Sequence, residues 1–139
     1  MRVLFICTRN SARSQMAEAW LKQIGGAAFE VESAGLEAGT LKPLVVEAMR
    51  EVNIDLSRKT TQSVFDVVKS GRLFDYVITL CDPASAARCP VFPGTTRRLH
   101  WDVPERSKVP GTLAEQLAQV RTVRDLIKDQ VTAWVAGNP

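Results

Sequence analysis

The chain has 139 residues, 45% of them apolar and 24% charged, and its 18 Lys and Arg against 15 Asp and Glu leave a formal charge of +3. That is enough for one domain with a real core, and the composition is ordinary for a soluble globular protein. The basic residues are scattered, so no nucleic-acid footprint is expected, and no apolar run is long enough to cross a membrane. With no secretory pattern after the first residues, the cytoplasm is the expected compartment and a monomer the expected state.

In chain order, Val3-Leu4-Phe5-Ile6 reads as a buried strand that runs into Cys7-Thr8-Arg9-Asn10-Ser11-Ala12-Arg13-Ser14. A helix pattern follows, with Met16, Ala17, Trp20, Leu21 and Ile24 on one face and Gly25-Gly26 as the stop. Residues 29–33 alternate as a strand, closed by Ala34-Gly35. Pro43 opens a second helix carrying Leu44, Val45, Ala48, Met49 and Val52. After a connector at 54–57, the spacing predicts a helix over 61–69 that buries Val64, Phe65, Val67 and Val68 and stops at Gly71.

Residues 75–81 form the most strand-like run, nearly continuous in β-formers, as expected of a parallel strand covered on both faces. Residues 82–94 turn to Pro, Ala, Ser and Gly and read as a loop or loosely helical flap. A short strand over 97–101 and an exposed loop over 102–111 lead to a capping box, Thr112-Leu113-Ala114-Glu115. The box starts a long helix with Leu113, Leu117, Val120, Ile127, Val131 and Trp134 as its buried stripe and Gly137 as its end. Strands alternating with helices predict a single α/β domain over 1–139, three-layered, with a parallel sheet of about four strands and helices on both faces. Ligands bind such sheets beyond the carboxyl ends of the strands, which is where Cys7 and Cys81 fall.

The loop after the first strand carries the chemistry. Its backbone N–H groups and the N-terminus of the following helix can form a nest for a tetrahedral oxyanion of phosphate size. The same field favours thiolate over thiol, making Cys7 the expected nucleophile. Arg13 can grip two oxygens with its planar fork, and Ser14 can either cap the helix or donate to the sulfur. Cys-x5-Arg by itself is a weak signal; the strand before it and the helix after it give it weight. Three cysteines in a reducing compartment do not form a structural framework, and with His100 the only histidine a metal site is not expected. Cys81, ending a core strand, has the look of a small buried hydrophobe, whereas Cys89 in a Pro-rich loop is harder to explain as packing. His100 and the tryptophans Trp20, Trp101 and Trp134 are expected to pack in the core or at its rim.

The stretch 6–18 resembles the anion loop of low-molecular-weight tyrosine phosphatases, and still more the thioredoxin-coupled arsenate reductases of that superfamily. The resemblance continues through Ser33-Ala34-Gly35, residues 54–57, 77–81 and 89–93, and His100-Trp101. It implies the phosphatase-like fold and an arsenate reductase for arsenic detoxification, with weak phosphatase side activity. Thr8, Arg9, Asn10, Ser11, Ala12 and Arg13 would then bind arsenate or phosphate. Cys7 would attack arsenate, Cys81 would attack Cys7 and release arsenite, and Cys89 would attack that disulfide and present the oxidised pair to thioredoxin or a similar dithiol protein. Seven residues separate Cys81 from Cys89, a longer loop than the family pattern. Glu105 is the expected proton donor, with Asp102 second. No cofactor is required, but some members bind potassium beside the loop. The matching donors are Asn10, Glu18 and Ser33, with Gln62 where a carboxylate is expected, which should weaken such a site. The same scaffold also fits a low-molecular-weight protein-tyrosine phosphatase, which needs neither Cys81 nor Cys89, and cysteines at strand ends would also suit a non-enzymatic oxyanion or redox sensor.

Overall fold

A computed structural model describes residues 1–10, 12–80, 88, 96–101, 103 and 111–137. Strands β1 (Arg2–Cys7), β2 (Glu30–Gly35), β3 (Tyr76–Thr79) and β4 (Arg97–His100) form a sheet in the order β2-β1-β3-β4. Every pairing is parallel, with Ile6 opposite Ala34 on one side and Thr79 on the other. The chain passes from β1 to β2 on one side and then crosses back past β1 to β3 on the other. A crevice therefore opens where the strand order reverses, at the carboxyl end of β1.

The central strand has no exposed face. Val3 and Phe5 join a cluster with residues of α1 (Arg13–Gly25), α2 (Pro43–Arg50) and α4 (Leu113–Gly137), including Met16, Met49 and Ile127. Leu4 and Ile6 face the other way, onto Val64 and Val67 of α3 (Val64–Lys69). This two-sided burial explains why β1 reads as unbroken apolar sequence, and it makes the three layers expected from the strand–helix alternation. A short 3-10 turn, Gly26–Ala28, joins α1 to β2.

The tryptophans pack as expected. Trp20 is buried, and the Trp101 ring lies 5.6 Å from Phe5 and 6.3 Å from Trp134. His100 sits on the outer strand, its Nδ1 2.8 Å from Thr79 Oγ1.

Two helices differ from their sequence reading. The third begins at Val64, capped by Ser63, instead of at 61, because residues 62–63 run beside the end of β2. Gly35 N–H donates to the Gln62 carbonyl at 2.9 Å, and Gly35 and Ser63 form an isolated parallel bridge. Six helical residues bury Val64 and Val67, pack Val68 half-buried against the same cluster and leave Phe65 46% exposed. In α4 the buried stripe is Val120, Val123, Ile127 and Val131, and Leu113 is 74% exposed, one turn too early to reach α1 or α2. Thr112 does cap that helix, accepting from Glu115 N–H at 3.2 Å.

Candidate active site

Three backbone hydrogen bonds shape the loop after β1. Leu36, Glu37 and Gly39 donate their N–H groups to the carbonyls of Cys7, Thr8 and Arg9 at 3.1, 3.0 and 2.9 Å. In a planar trans peptide the next N–H points opposite to the carbonyl. The N–H groups of Thr8, Arg9 and Asn10 are therefore turned away from the 36–39 segment, onto the loop's other face. Asn10 completes the curl with φ 55°, the left-handed region. For a non-glycine residue that conformation costs about 1–2 kcal/mol, least for Asn. Successive N–H groups ending in a left-handed residue make the concavity that holds an oxyanion.

Side chains lock this curl and fix the orientation of the Asn10 amide. Asn10 is completely buried, and its Oδ1 accepts from Gln62 N–H at 3.0 Å and from Gln15 Nε2 at 3.2 Å. A backbone N–H can only donate, so the amide orientation is fixed and Nδ2 must face Ser14, donating to its Oγ at 2.8 Å. The Ser14 hydroxyl, accepting from Asn10, lies 2.9 Å from Cys7 Sγ and has a proton to donate whenever that sulfur is a thiolate. Of the two roles open to Ser14, the structure selects the sulfur: Ala12 precedes the helix with no side-chain cap, and Ser14 sits in the first turn. Cys7 is 3% exposed, at the crevice between β1 and β3.

Arg13 is only 7% exposed, unusual for a charged residue. Its Nη1 donates to the carbonyls of Leu80 at 2.7 Å and Val103 at 3.1 Å, just past the ends of β3 and β4. Two backbone acceptors that follow different strands hold the guanidinium at the sheet's carboxyl rim. Thr8 is half-buried and Arg9 exposed, so within this loop their main-chain N–H groups are the better placed for an anion.

Behind the loop lies a second polar cluster. Glu18, 3% exposed, receives Lys22 Nζ at 2.6 Å and Lys59 Nζ at 2.5 Å on Oε2, and the Ser33 hydroxyl at 2.7 Å on Oε1. Burial pushes its carboxyl up, but the hydrogen bonds from Lys22, Lys59 and Ser33 together outweigh it and hold the group below its ordinary value. Gln62 Nε2 donates to the Ser33 carbonyl at 2.8 Å. The four residues expected as potassium donors do meet here, but Asn10 Oδ1, both Glu18 oxygens and the Ser33 hydroxyl and carbonyl already have hydrogen-bond partners, and two ammonium groups stand on the carboxylate.

The structure thus brings together Cys7, Thr8, Arg9, Asn10, Ala12, Arg13 and Ser14. Ser11, Cys81, Cys89, Asp102 and Glu105 lie outside the described residues. The precondition for Cys81 holds, since β1 and β3 are neighbours and Leu80 N–H donates to the Ile6 carbonyl at 2.8 Å. Lys59 and the moulding role of Gly35 were invisible to sequence reading; for Glu18 only Lys22, four residues on, was a visible partner. Among the described residues no helix is long and apolar enough to cross a membrane, and no group of three or more His, Cys, Asp or Glu could hold a metal ion.

Residues 2–137 match the family described as low molecular weight phosphotyrosine protein phosphatase. An arsenate reductase of Bacillus subtilis is 43% identical over 131 residues, covering 93% of this chain and 91% of the relative. Among solved structures, an arsenate reductase in its oxidised state superposes with a TM-score of 0.80 at 30% identity, over 98% of this chain and 97% of the other. A thioredoxin-dependent arsenate reductase of Corynebacterium glutamicum superposes at 0.64 with 27% identity, over 95% of this chain and 62% of that one. With its nucleophile loop, its parallel sheet and almost its whole length matched, this chain belongs to the low molecular weight phosphotyrosine protein phosphatase family.

Proposed function

We propose that this protein is a cytoplasmic, monomeric arsenate reductase that uses Cys7, Cys81 and Cys89 in turn and takes its electrons from thioredoxin or a similar dithiol protein. One observation carries the reading: the Ser14 hydroxyl lies 2.9 Å from the Cys7 sulfur at the mouth of an N–H nest, in a chain 43% identical to an arsenate reductase. Arsenate is a tetrahedral oxyanion like phosphate. The N–H groups of residues 8–14 and the positive end of α1 hold its oxygens, and Arg13 closes on it with a planar fork.

Cys7 thiolate attacks arsenic, an S–As bond forms, and one oxygen leaves as water, protonated by Glu105, or by Asp102 in its place. Cys81 thiolate then attacks Cys7 Sγ. The S–S bond forms as the S–As bond breaks, and its electron pair stays on arsenic, which departs as arsenite. Arsenic has gained two electrons and two thiols have lost them. Cys89 thiolate attacks the Cys81 sulfur, expels Cys7 as thiolate, and leaves a Cys81–Cys89 disulfide for the reductant. The C. glutamicum likeness supports a thioredoxin-type donor.

A phosphatase reading has its own support, because Cys7 and Arg13 of the loop, with a loop acid such as Glu105 or Asp102, would suffice for ester hydrolysis. The test is purified protein with arsenate, thioredoxin, thioredoxin reductase and NADPH, beside an aryl phosphate assay. Steady arsenate-dependent NADPH loss with slow ester hydrolysis is the expected result. Hydrolysis without reduction would select the phosphatase, and neither activity would leave an oxyanion or redox sensor.

A further inference from the structure

Six hydrogen bonds join a surface ammonium to the nucleophile without a break. Lys59 Nζ donates to Glu18 Oε2, and Glu18 Oε1 accepts from Ser33 Oγ. The Ser33 carbonyl accepts from Gln62 Nε2, and Gln62 N–H donates to Asn10 Oδ1. Asn10 Nδ2 donates to Ser14 Oγ, which lies on Cys7 Sγ. A carboxylate at position 62 could not make the bond to Ser33, since it has no hydrogen to give. The glutamine therefore belongs to this network and not to a ring of oxygens around a metal ion.

A potassium ion does not fit these residues. Asn10 Oδ1 already accepts two hydrogen bonds. The Ser33 hydroxyl and carbonyl both face protein partners, and Gln62 turns its amide nitrogen inward. Two ammonium groups lie on Glu18, while Arg72 pairs with nearby Glu32 at 2.9 Å. A further cation would meet net positive charge.

We infer that Lys59 is a positioning residue whose ammonium serves as the built-in cation of the anion loop, so that the protein needs no monovalent ion to hold Asn10 and Ser14 in place. Lys59 is suited to this: its side chain is 34% exposed against 52% for Lys22, so less of its charge is given up to water. It also comes from outside α1, tying the 57–61 segment to the helix that bears Arg13. A cavity of about 220 Å³ lined by Glu18, Ser33, Lys59 and Gln62 adjoins the pair, so shortening Lys59 would leave room for an ion where the ammonium stands. The inference rests on the reading of residues 7–14 as an oxyanion loop.

The test compares wild type, Lys59→Ala and Lys59→Arg in potassium chloride and choline chloride at equal ionic strength. Thermal melting and phosphate affinity are the readouts. Wild type should melt at the same temperature in both salts, and a potassium-specific rise would overturn the inference before any variant is made. In choline, Lys59→Ala should melt lower and bind phosphate about fivefold more weakly, the low end of coupling between separate sites. Potassium should restore part of both losses, and Lys59→Arg should stay close to wild type in either salt. An alanine variant with unchanged phosphate affinity, or one that potassium does not rescue, would refute the built-in cation, as would failure of Lys59→Arg to retain wild-type phosphate affinity. If wild type bound no phosphate, the oxyanion reading would fail, while melting in the two salts would still decide the role of Lys59.

Discussion

Gly35 and Asn10 are pressed backbone to backbone: a Cβ added at Gly35 would stand 2.5 Å from the Asn10 amide nitrogen and 2.6 Å from the Arg9 carbonyl carbon. The end of β2 is thus the mould against which the nucleophile loop is cast. Gly35→Ala should cost about 1–3 kcal/mol of stability, as overpacking does, and should displace the N–H groups of Arg9 and Asn10. Thermal melting and phosphate titration check this; a well-folded alanine variant with wild-type phosphate affinity would remove Gly35 from the site.

Ser14→Ala should leave the loop's N–H nest but take the proton from Cys7. A hydrogen bond to a charged group contributes about 1.5–3 kcal/mol, so iodoacetamide labelling of Cys7 at neutral pH should slow by about tenfold or more. Phosphate affinity should fall much less. Equal loss of both would mean that Ser14 acts only through packing.

Arg13→Lys should abolish phosphate binding and turnover together. A lysine brings one point charge where a fork is needed, and it cannot keep both the Leu80 and Val103 carbonyls and an anion. Calorimetric phosphate titration and the coupled NADPH assay measure the two losses; wild-type turnover would be the contrary result.

The relay separates a reductase from a phosphatase on one scaffold. Cys89→Ser should release arsenite once and stop as a Cys7–Cys81 disulfide, while Cys81→Ser should stall before release and Cys7→Ser should be inert. Ester hydrolysis should survive in the first two. Mass spectrometry of arsenate-treated variants, digested without reductant, identifies the paired sulfurs. Repeated turnover by Cys81→Ser or Cys89→Ser would exclude the three-step order.

Glu51 at the end of α2 receives Arg121 and Arg124 of α4, and these hydrogen bonds hold its carboxyl down to about 2, from an ordinary 4.5. A depressed carboxyl adds stability that is fully present above its unfolded value and disappears as pH falls through the folded one. The melting difference between wild type and Glu51→Gln should therefore be constant above pH 5 and shrink between pH 4.5 and about 2. Because the group is exposed, added salt should shrink it too. A difference independent of pH would assign Glu51 a packing role only.

What the sequence determined by itself was the strand–loop–helix around Cys7, the α/β alternation and the Thr112 cap. Each is coded within a few residues: an apolar run, a nucleophile six residues before an arginine, a helical stripe, a threonine three before a glutamate. The errors came where a local pattern met a distant partner. Residues 61–62 read as helix, yet Gln62 is drawn to Asn10 and Gly35, and Phe65 and Leu113 fit a stripe that their helices do not bury. Only the tertiary structure decided that Ser14 faces the sulfur instead of capping the helix, and that Asn10 turns its Nδ2 to Ser14, which follows from Gln62 N–H fixing the Asn10 amide across 52 residues. Likewise only the fold could set Lys59 on Glu18, 41 residues away, because a lysine's side chain carries no sign in the sequence of which carboxylate will take it.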